Sequence, residues 1–285
     1  MTPLDYEFLR KLLKDRSGLD LSADKQYLVE SRLMPLARKA GLGGIPDLVQ
    51  KIKGGGAEAL TTEVVEAMTT NETFFFRDKV PFDHLRDTIL PIMQQQRANR
   101  RTLRIWSAAS STGQEPYSIA MLFKERAQAL AGWRIEIVAT DLSQEVLEKS
   151  RAGIYSQFEV QRGLPIQLLV KYFAQIGELW QINSEVRGMI QHRQLNLLHD
   201  FSHLGRFDVI FCRNVLIYFD QDTKVNIFDR MSKVIEPDGM LMLGAAESVV
   251  GITDAFRPYP DKRGLYQPNQ ERGGARAPLR AVAAH

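Results

Sequence analysis

The segment WSAASSTGQEPYS, residues 106–118, has the residue types of a ligand-binding turn between a strand and a helix. Such turns commonly carry three glycines, whereas here only Gly113 is present and residues 108–111 supply small side chains that still permit close backbone approach. Glu115 would follow just inside the helix, where a carboxylate repels phosphate and suits a ligand with a positively charged group. A tight turn without a ligand is the alternative interpretation.

An acidic residue ends the next apolar run. Asp141 closes the run IVATD, about one strand–helix–strand unit after the turn. A carboxylate at that position accepts hydrogen bonds from ribose hydroxyls. A solvated loop carboxylate, or one that caps the helix in SQEVLEKS, is the alternative.

Polar residues also interrupt two later apolar segments. Asn196 follows a predicted strand, where its amide can read an adenine edge. Arg213 and Asn214 interrupt the run FCRNVLIYF, and polar groups in such a run need partners. A structural ion pair is the alternative role for Arg213. The neighbouring Cys212 is expected to be a small buried apolar residue and not a nucleophile.

The histidines do not indicate a metal site. His199 and His203 are four residues apart, with Asp200 beside them, but no third ligand cluster accompanies them and the segment has the character of a loop. The sequence contains no Ser-His-Asp order, no CxxC pair and no phosphate-binding loop. We therefore expect no metal and no covalent nucleophile.

The elements that must position these residues form two patterns. The first part of the chain contains only helical patterns, whereas from Leu103 short apolar runs alternate with helical runs, which predicts an α/β fold with a mostly parallel, Rossmann-like sheet covered on both faces. Ligands in such sheets bind at the carboxyl ends of the strands. The predicted units are a helical domain over 1–75, an α/β domain over 76–270, an inserted antiparallel β-subdomain over 156–194 that includes LWQIN and MIQHRQL, and a disordered tail over 271–285.

The helical domain has clear signals for where its helices start and end. Thr2 and Asp5 form the pattern of a capping box, and Gly18 ends the first predicted helix. Ser22 is the predicted cap of a second helix that runs to about residue 40, with a kink or break at Pro35. That helix carries four cations, namely Lys25, Arg32, Arg38 and Lys39. A further helix over 80–97 is expected to be interrupted at Pro91.

Composition excludes several classes of protein. The net charge of +3 is too small to indicate nucleic-acid binding, and no apolar run reaches the length of a membrane span. A single cysteine in 285 residues cannot form an internal disulfide, which favours a reducing cytoplasm.

Six stretches together resemble the CheR family of chemoreceptor glutamate methyltransferases. They occur in family order across most of residues 5–267 and read NETFFFRD, WSAASSTGQEPYSIAM, ATDLSQEVLEKSRAGIY, LNLL, FDVIFCRNVLIYFD and EPDGMLMLGAAES. The resemblance implies a helical domain followed by an S-adenosylmethionine (SAM) dependent methyltransferase domain with an inserted β-subdomain. It also implies methylation of glutamate side chains on the cytoplasmic part of chemoreceptors, in sensory adaptation. A cytoplasmic monomer recruited to membrane receptor arrays, without nucleic acid or membrane insertion, is the expectation that follows.

The resemblance also assigns roles to individual residues. Contacts with SAM are implied for Asn71, Thr73, Arg77, Glu115, Asp141, Asn196, Leu197, Arg213 and Asn214. Arg77 is the candidate for orienting the site. Tyr218 is the candidate donor to the incoming carboxylate, with a plain core role as its alternative. The phenylalanines of NETFFFRD are expected to pack between the helical domain and the sheet, and the four cations of the second helix are the candidate receptor-docking surface, with a solvated helix face as the alternative.

Two departures from the family pattern bear on these roles. Ser110 stands where the family commonly has Cys, and Gln114 stands where it commonly has Glu, but neither carries an implied contact. The stretch QIGELWQINSEVRG is shorter than the loop of relatives that bind a receptor's C-terminal pentapeptide, so we expect independence of that peptide. A nucleic-acid methyltransferase and a non-catalytic SAM-bound adaptor are the alternatives, and the absence of an Asn/Asp-Pro-Pro-aromatic motif argues against the first.

Overall fold

The computed structural model describes residues 1–270, so the tail predicted over 271–285 lies outside the described residues. Twelve α-helices lie in this range. In chain order they are α1 Pro3–Ser17, α2 Gln26–Lys39, α3 Ile45–Lys53, α4 Glu58–Met68, α5 Val80–His84, α6 Leu90–Gln96, α7 Gln114–Glu125, α8 Gln144–Ala152, α9 Gln157–Gln161, α10 Ile166–Tyr172, α11 Ser184–Arg187 and α12 Gln221–Val234.

Helices α1–α4 pack around their own apolar core. Leu9, Leu33, Leu48 and Val64 contribute one buried side chain from each helix. The predicted start and end of α1 are confirmed. Thr2 and Asp5 form a capping box, and Gly18, in the left-handed conformation with φ 79°, ends the helix. The rest of this unit contains no strand, as its sequence predicted.

The second helix differs from its prediction at Ser22, and at Pro35 it continues without a break. Ser22 precedes a short 3-10 turn at residues 23–25, and its hydroxyl donates to Asp24 in place of capping α2. Helix α2 is not broken at Pro35. Leu33, Leu36 and Ala37 are buried around the proline, and this packing compensates for the hydrogen bond that proline cannot donate.

The connecting helix is irregular one turn earlier than predicted. A π-helical turn at Leu85–Ile89 separates α5 from α6. Pro91 lies in the first turn of α6, where a missing N–H costs little.

The strands form the predicted mostly parallel sheet and a second, smaller sheet. In chain order they are β1 Thr102–Ala108, β2 Arg134–Asp141, β3 Ile154–Ser156, β4 Phe173–Ile176, β5 Leu179–Ile182, β6 Ile190–Gln194, β7 Phe207–Cys212, β8 Ile235–Leu243, β9 Phe256–Pro258 and β10 Leu265–Pro268. The large sheet has the order β6-β2-β1-β7-β8-β10-β9, in which the first five strands are parallel and the last two antiparallel. All six residues of β7 are buried, as expected for a central strand covered on both faces.

The small antiparallel sheet contains one of the two strands predicted for it. The run LWQIN supplies β5, which pairs with β3 and β4. The run MIQHRQL instead supplies β6, an edge strand that lies parallel to β2 with Ile190 opposite Ile137. Because an edge strand buries fewer of its side chains, β6 has the weak alternation that suggested a place in the small sheet.

Candidate active site

The carboxyl ends of β1, β2 and β7 open onto one cavity. The ten residues assigned above to the cofactor or to catalysis all line it, namely Asn71, Thr73, Arg77, Glu115, Asp141, Asn196, Leu197, Arg213, Asn214 and Tyr218. The helical domain contributes Ser17 and Leu19 to the wall. The site is therefore shared between the two parts of the chain, and the helical domain contributes more than the expected Asn71 and Thr73.

The turn after β1 is built with left-handed backbone at alternate positions. Ala109 has φ 54°, Ser111 has φ 50° and Gly113 has φ 97°. A Cβ at Gly113 would lie 2.2 Å from Oγ of Ser150, so a larger residue there would displace Ser150 and would also be strained by the positive φ. The single glycine of this turn thus stands where α8 approaches most closely, and small side chains suffice at the other positions.

Asp141 joins two loops at the end of β2. Its carboxylate accepts hydrogen bonds from the backbone N–H of Ser111 at 2.8 Å and of Ser143 at 3.0 Å. Burial raises the pKa of this carboxyl group. Asp141 is therefore neither of its alternatives, since the carboxylate is buried and Ser143 is the residue that caps α8. Because Asp141 lines the cavity, its contact with ribose stays a prediction.

Arg213 forms the ion pair that was its alternative role. Its guanidinium donates to Glu115 at 2.8 Å and to Asp78 at 2.8 Å, and only 1% of its side chain is exposed. The other oxygen of Glu115 accepts from the hydroxyl of Ser107 at 2.8 Å. The guanidinium also donates to the carbonyl of Arg77 at 2.9 Å. Arg213 thus fixes the acid of the turn relative to the NETFFFRD segment.

The NETFFFRD segment has one buried face and one face on the cavity. Phe75 is fully buried, with its ring 5.1 Å from that of Tyr155 and 5.6 Å from that of Phe173. These ring partners belong to the small sheet, and Phe75 shares its apolar cluster with side chains of the large sheet but not with the core of the helical domain. The expected packing against the large sheet is therefore supported, whereas the expected packing against the helical domain is not. The reason is topological, because the small inserted sheet packs against the NETFFFRD segment, and the sequence does not show which element would cover it.

The end of this segment is held in unusual backbone geometry. Phe76, Asp78 and Lys79 have φ values of 52°, 65° and 52°. The N–H of Phe76 donates to the hydroxyl of Ser118 at 2.9 Å. Such conformations persist only where surrounding contacts hold them, and they cluster at functional sites. Arg77 lies within this stretch, and its guanidinium donates to the carbonyl of Glu72 at 2.5 Å.

Asn196 and Tyr218 connect the cavity to the helical domain. The Asn196 side chain donates to the carbonyl of Arg16 at 2.7 Å and accepts from the N–H of Leu198 at 2.9 Å. The carbonyl of Tyr218 accepts from the N–H of Asp20 at 2.9 Å. The Tyr218 side chain is half-buried at the cavity wall, so it is not plain core.

Comparison with known proteins identifies the family. Residues 4–69 match the family described as CheR methyltransferase, all-alpha domain, and residues 71–265 match CheR methyltransferase, SAM binding domain. The chain belongs to the CheR methyltransferase family. It is 43% identical over 255 residues to chemotaxis protein methyltransferase 1 of Vibrio cholerae, covering 88% of this chain and 92% of the relative. It is 40% identical to chemotaxis protein methyltransferase Cher2 of Pseudomonas putida, covering 89% and 94%.

The cavity of this CheR chain fits SAM by its chemistry. Two buried polar atoms on its walls, Oγ of Ser110 and Nε of Arg213, have no partner among residues 1–270 and remain available to a ligand. The carboxylates of Glu115 and Asp141 suit a cationic amino acid and a ribose, respectively. Within the same described range, no cluster of three His, Cys, Asp or Glu side chains could hold a metal ion.

The four cations of the second helix do not form one free surface. The guanidinium of Arg32 donates to the carbonyls of Met68 at 2.6 Å and Thr69 at 3.1 Å, so it caps the end of α4. Lys39 pairs with Glu63 at 3.3 Å. Lys25 lies before α2 in the 3-10 turn and pairs with Asp24 at 3.5 Å. Arg38 is exposed, and receptor docking by this set stays a prediction.

Sequence reasoning missed Glu247, in the loop that follows β8. Its carboxylate is nearly buried and binds backbone groups of the segment after β7. The only signal was a lone acid in GAAES, within a quoted family stretch and directly after an apolar strand. No pattern in the sequence reveals that the two loops meet.

Proposed function

We propose that the protein transfers the methyl group of SAM to glutamate side chains on the cytoplasmic part of chemoreceptors. The two relatives described above carry the name chemotaxis protein methyltransferase, which supports a role in chemotaxis. The observation that carries the proposal is the single cavity that joins Glu115 and Asp141 to Arg77 and Tyr218. One set suits the cofactor, and the other set suits an acidic acceptor.

The reaction needs positioning more than acid–base chemistry. A glutamate side chain has a reference pKa of about 4.3, so it is already ionised at neutral pH and needs no general base. Bound SAM supplies a methyl group on a positively charged sulfur, and its transfer to the glutamate oxygen gives a methyl ester and S-adenosylhomocysteine. The protein's own residues hold the acceptor oxygen in line and exclude water.

Arg77 and Tyr218 are the residues proposed to act on the acceptor. The Arg77 guanidinium orients the acceptor carboxylate, and the Tyr218 hydroxyl donates a hydrogen bond to it. Arg213 acts one step away, because it holds Glu115 and the backbone of Arg77 in a fixed relation. Arg77 and Tyr218 hold the acceptor carboxylate without binding it so tightly that methyl transfer is slowed.

Labelled SAM tests the function directly. The protein is incubated with labelled SAM and purified cytoplasmic regions of candidate receptors, and the label is expected on receptor glutamates in a base-labile form. Alkali-stable label on nucleic acid would instead show a nucleic-acid methyltransferase. SAM binding without transfer to any receptor would show an adaptor.

Replacement of Arg77 tests the assigned role. We expect Arg77→Ala to lower turnover at least about 10-fold. Arg86→Ala is the matched control, because Arg86 is a partly exposed arginine that pairs with Asp83 and Asp87 outside the cavity. Unchanged turnover and SAM affinity in Arg77→Ala would contradict the role.

The small sheet is proposed to act without a receptor pentapeptide. Only Gly177 and Glu178 separate β4 from β5, so the hairpin has a two-residue loop and little room for a peptide tether. Deletion of the C-terminal pentapeptide from a cognate receptor is expected to leave methylation unchanged. A collapse of methylation or binding would refute this proposal.

Receptor docking is proposed to use the exposed cations of the helical domain. We expect Arg38→Glu to weaken receptor methylation more than SAM binding, because like charges would then face an acidic receptor. Arg32→Glu is a poorer test, since it would also release the end of α4 beside the cavity. The proposed working form is a cytoplasmic monomer recruited to receptor arrays. No helix within residues 1–270 has both the length and the apolarity to cross a bilayer.

A further inference from the structure

The Glu247 carboxylate binds four backbone N–H groups from two loops. It accepts from Asn214 at 2.8 Å, Val215 at 2.9 Å, Leu216 at 2.8 Å and Gly244 at 2.7 Å. Each oxygen takes two of the four donors. Three consecutive amides that converge on one anion form a backbone nest, here occupied by a side chain of the same protein.

The loop after β7 is shaped to make this contact. Asn214 has φ 58°, which turns the following amides toward Glu247. A Cβ at Gly244 would lie 2.9 Å from the N atom of Asn214, so the absence of a side chain there permits the close approach of the two loops. Without the carboxylate, these buried N–H groups would lose their partner.

The loop of residues 214–218 also forms part of the cavity wall, and it includes Tyr218, which is proposed to donate to the acceptor carboxylate. Asn214, Val215 and Tyr218 line the cavity, whereas Glu247 does not. Both Glu247 oxygens are fully used by backbone donors, so the carboxylate acts on the reaction only through the loop. That loop lies at the end of the cavity where Tyr218 is proposed to contact the acceptor.

We propose that Glu247 is a positioning residue that holds residues 214–218 in the geometry required for methyl transfer. This inference rests on the proposed function, because the acceptor role of Tyr218 does. The Glu247 carboxylate fixes the loop through charge-assisted hydrogen bonds, which are about twice as strong as neutral ones. Tyr218, two residues beyond the last bound amide, is thereby fixed relative to β7.

Glu247→Gln is the decisive variant. It keeps the size of the side chain, but one oxygen becomes an NH₂ group that faces two backbone donors. We expect backbone amide exchange at residues 214–216 to accelerate at least about 10-fold. Turnover should fall at least about 10-fold while the SAM dissociation constant changes by less than about 3-fold.

Two further variants separate positioning from general loss of structure. Glu236→Gln is the matched control, since Glu236 lies on the same strand at the opposite end of the sheet and pairs with Arg100. It should leave exchange at 214–216 and turnover unchanged. Glu247→Ala leaves room for formate, which should restore part of the turnover by occupying the nest.

Three results would overturn the inference. One is unchanged exchange and turnover in Glu247→Gln. Another is a lower melting temperature with normal turnover in the folded protein. The third is a loss of SAM affinity as large as the loss of turnover, which would place the role in cofactor binding. If the wild type labels no receptor glutamate but Glu247→Gln still releases residues 214–216, the proposed function fails while the clamp on the loop stands.

Discussion

Strand β7 has a buried arginine with acidic partners at each of its ends, and only the one at the carboxyl end lines the cavity. At the amino end, Arg97 donates to Asp208 at 2.6 Å and also binds Asp238. At the carboxyl end, Arg213 bridges Glu115 and Asp78 at 2.8 Å each. Both arginine side chains are buried, with exposures of 8% and 1%, respectively.

The networks differ in how completely their polar atoms are satisfied. Asp208 binds Arg97, Arg100 and the N–H of Arg104, so both of its oxygens have partners. Nε of Arg213 has no partner in the described part of the chain, and Asp78 has a left-handed backbone. A closed network holds the sheet together, whereas an open and strained one leaves capacity for a ligand.

Replacement of Arg213 should have the largest effect. We expect Arg213→Met to lower methyl transfer at least about 100-fold, because Glu115 and the Arg77 backbone lose their common anchor. Two carboxylates also lose their partner, which should cost about 3 kcal/mol of unfolding free energy. Single-turnover kinetics and urea denaturation measure the two losses. Retained transfer in the folded fraction would show that the two networks are equivalent.

Replacement of Arg97 should affect stability alone. We expect Arg97→Met to lower the unfolding free energy by about 3 kcal/mol, because Asp208 and Asp238 lose their shared partner. SAM affinity and turnover of the folded protein should change less than about 2-fold. Urea denaturation and isothermal titration give the two values. A loss of turnover comparable to that of Arg213→Met would break the contrast between the two ends.

Acidification should destabilise the folded protein through His192, which lies in the middle of the edge strand β6. Burial, followed by the charge of Arg151, lowers the pKa of His192 to about 4, and Ser150 lies 2.7 Å from its Nε2. The ring is protonated below about pH 6.5 in the unfolded chain but not in the folded protein. Stability is therefore complete above pH 6.5 and falls as the pH drops toward 4.

The predicted loss is about 2 kcal/mol between pH 6.5 and 4, since partial exposure of the ring screens part of the effect. Denaturation curves at several pH values are compared with those of His192→Gln, which cannot titrate there. The difference in unfolding free energy between the two proteins should be constant above pH 7 and change between pH 6.5 and 4. Parallel pH profiles for both proteins would exclude His192 as the cause.

The smallest effect is expected at the surface between the helical domain and α12. Lys14 pairs with Asp220 at 2.7 Å, and this hydrogen bond is the main reason that the pKa of Asp220 is lowered to about 2. Exposed pairs contribute little, so Lys14→Met should lower the melting temperature only slightly and leave turnover unchanged. Thermal unfolding at low and high salt measures it. A fall in melting temperature as large as that of Arg97→Met would show that the cavity wall depends on this pair.

Much of the fold could be predicted from the sequence because apolar strand patterns and helix caps depend on residues close together in the chain. The apolar runs that became β1, β2 and β7 are buried on both faces, and the capping box at Thr2 depends only on neighbouring residues. The assignment of β6 was wrong because an edge strand has the same weak alternation in either sheet. Arg32 appeared to be a surface cation because its partners at the end of α4 lie more than 35 residues away.

The sequence by itself determined which residues could carry the chemistry, because their types and their places after apolar runs depend on local order. Only the tertiary structure decided how they are held. Arg213 meets Asp78 and Glu115 across separations of 135 and 98 residues, and Glu247 meets Val215 across 32. Such contacts follow from the order of strands in the sheet, which brings loops together at one edge, and no local pattern encodes that order.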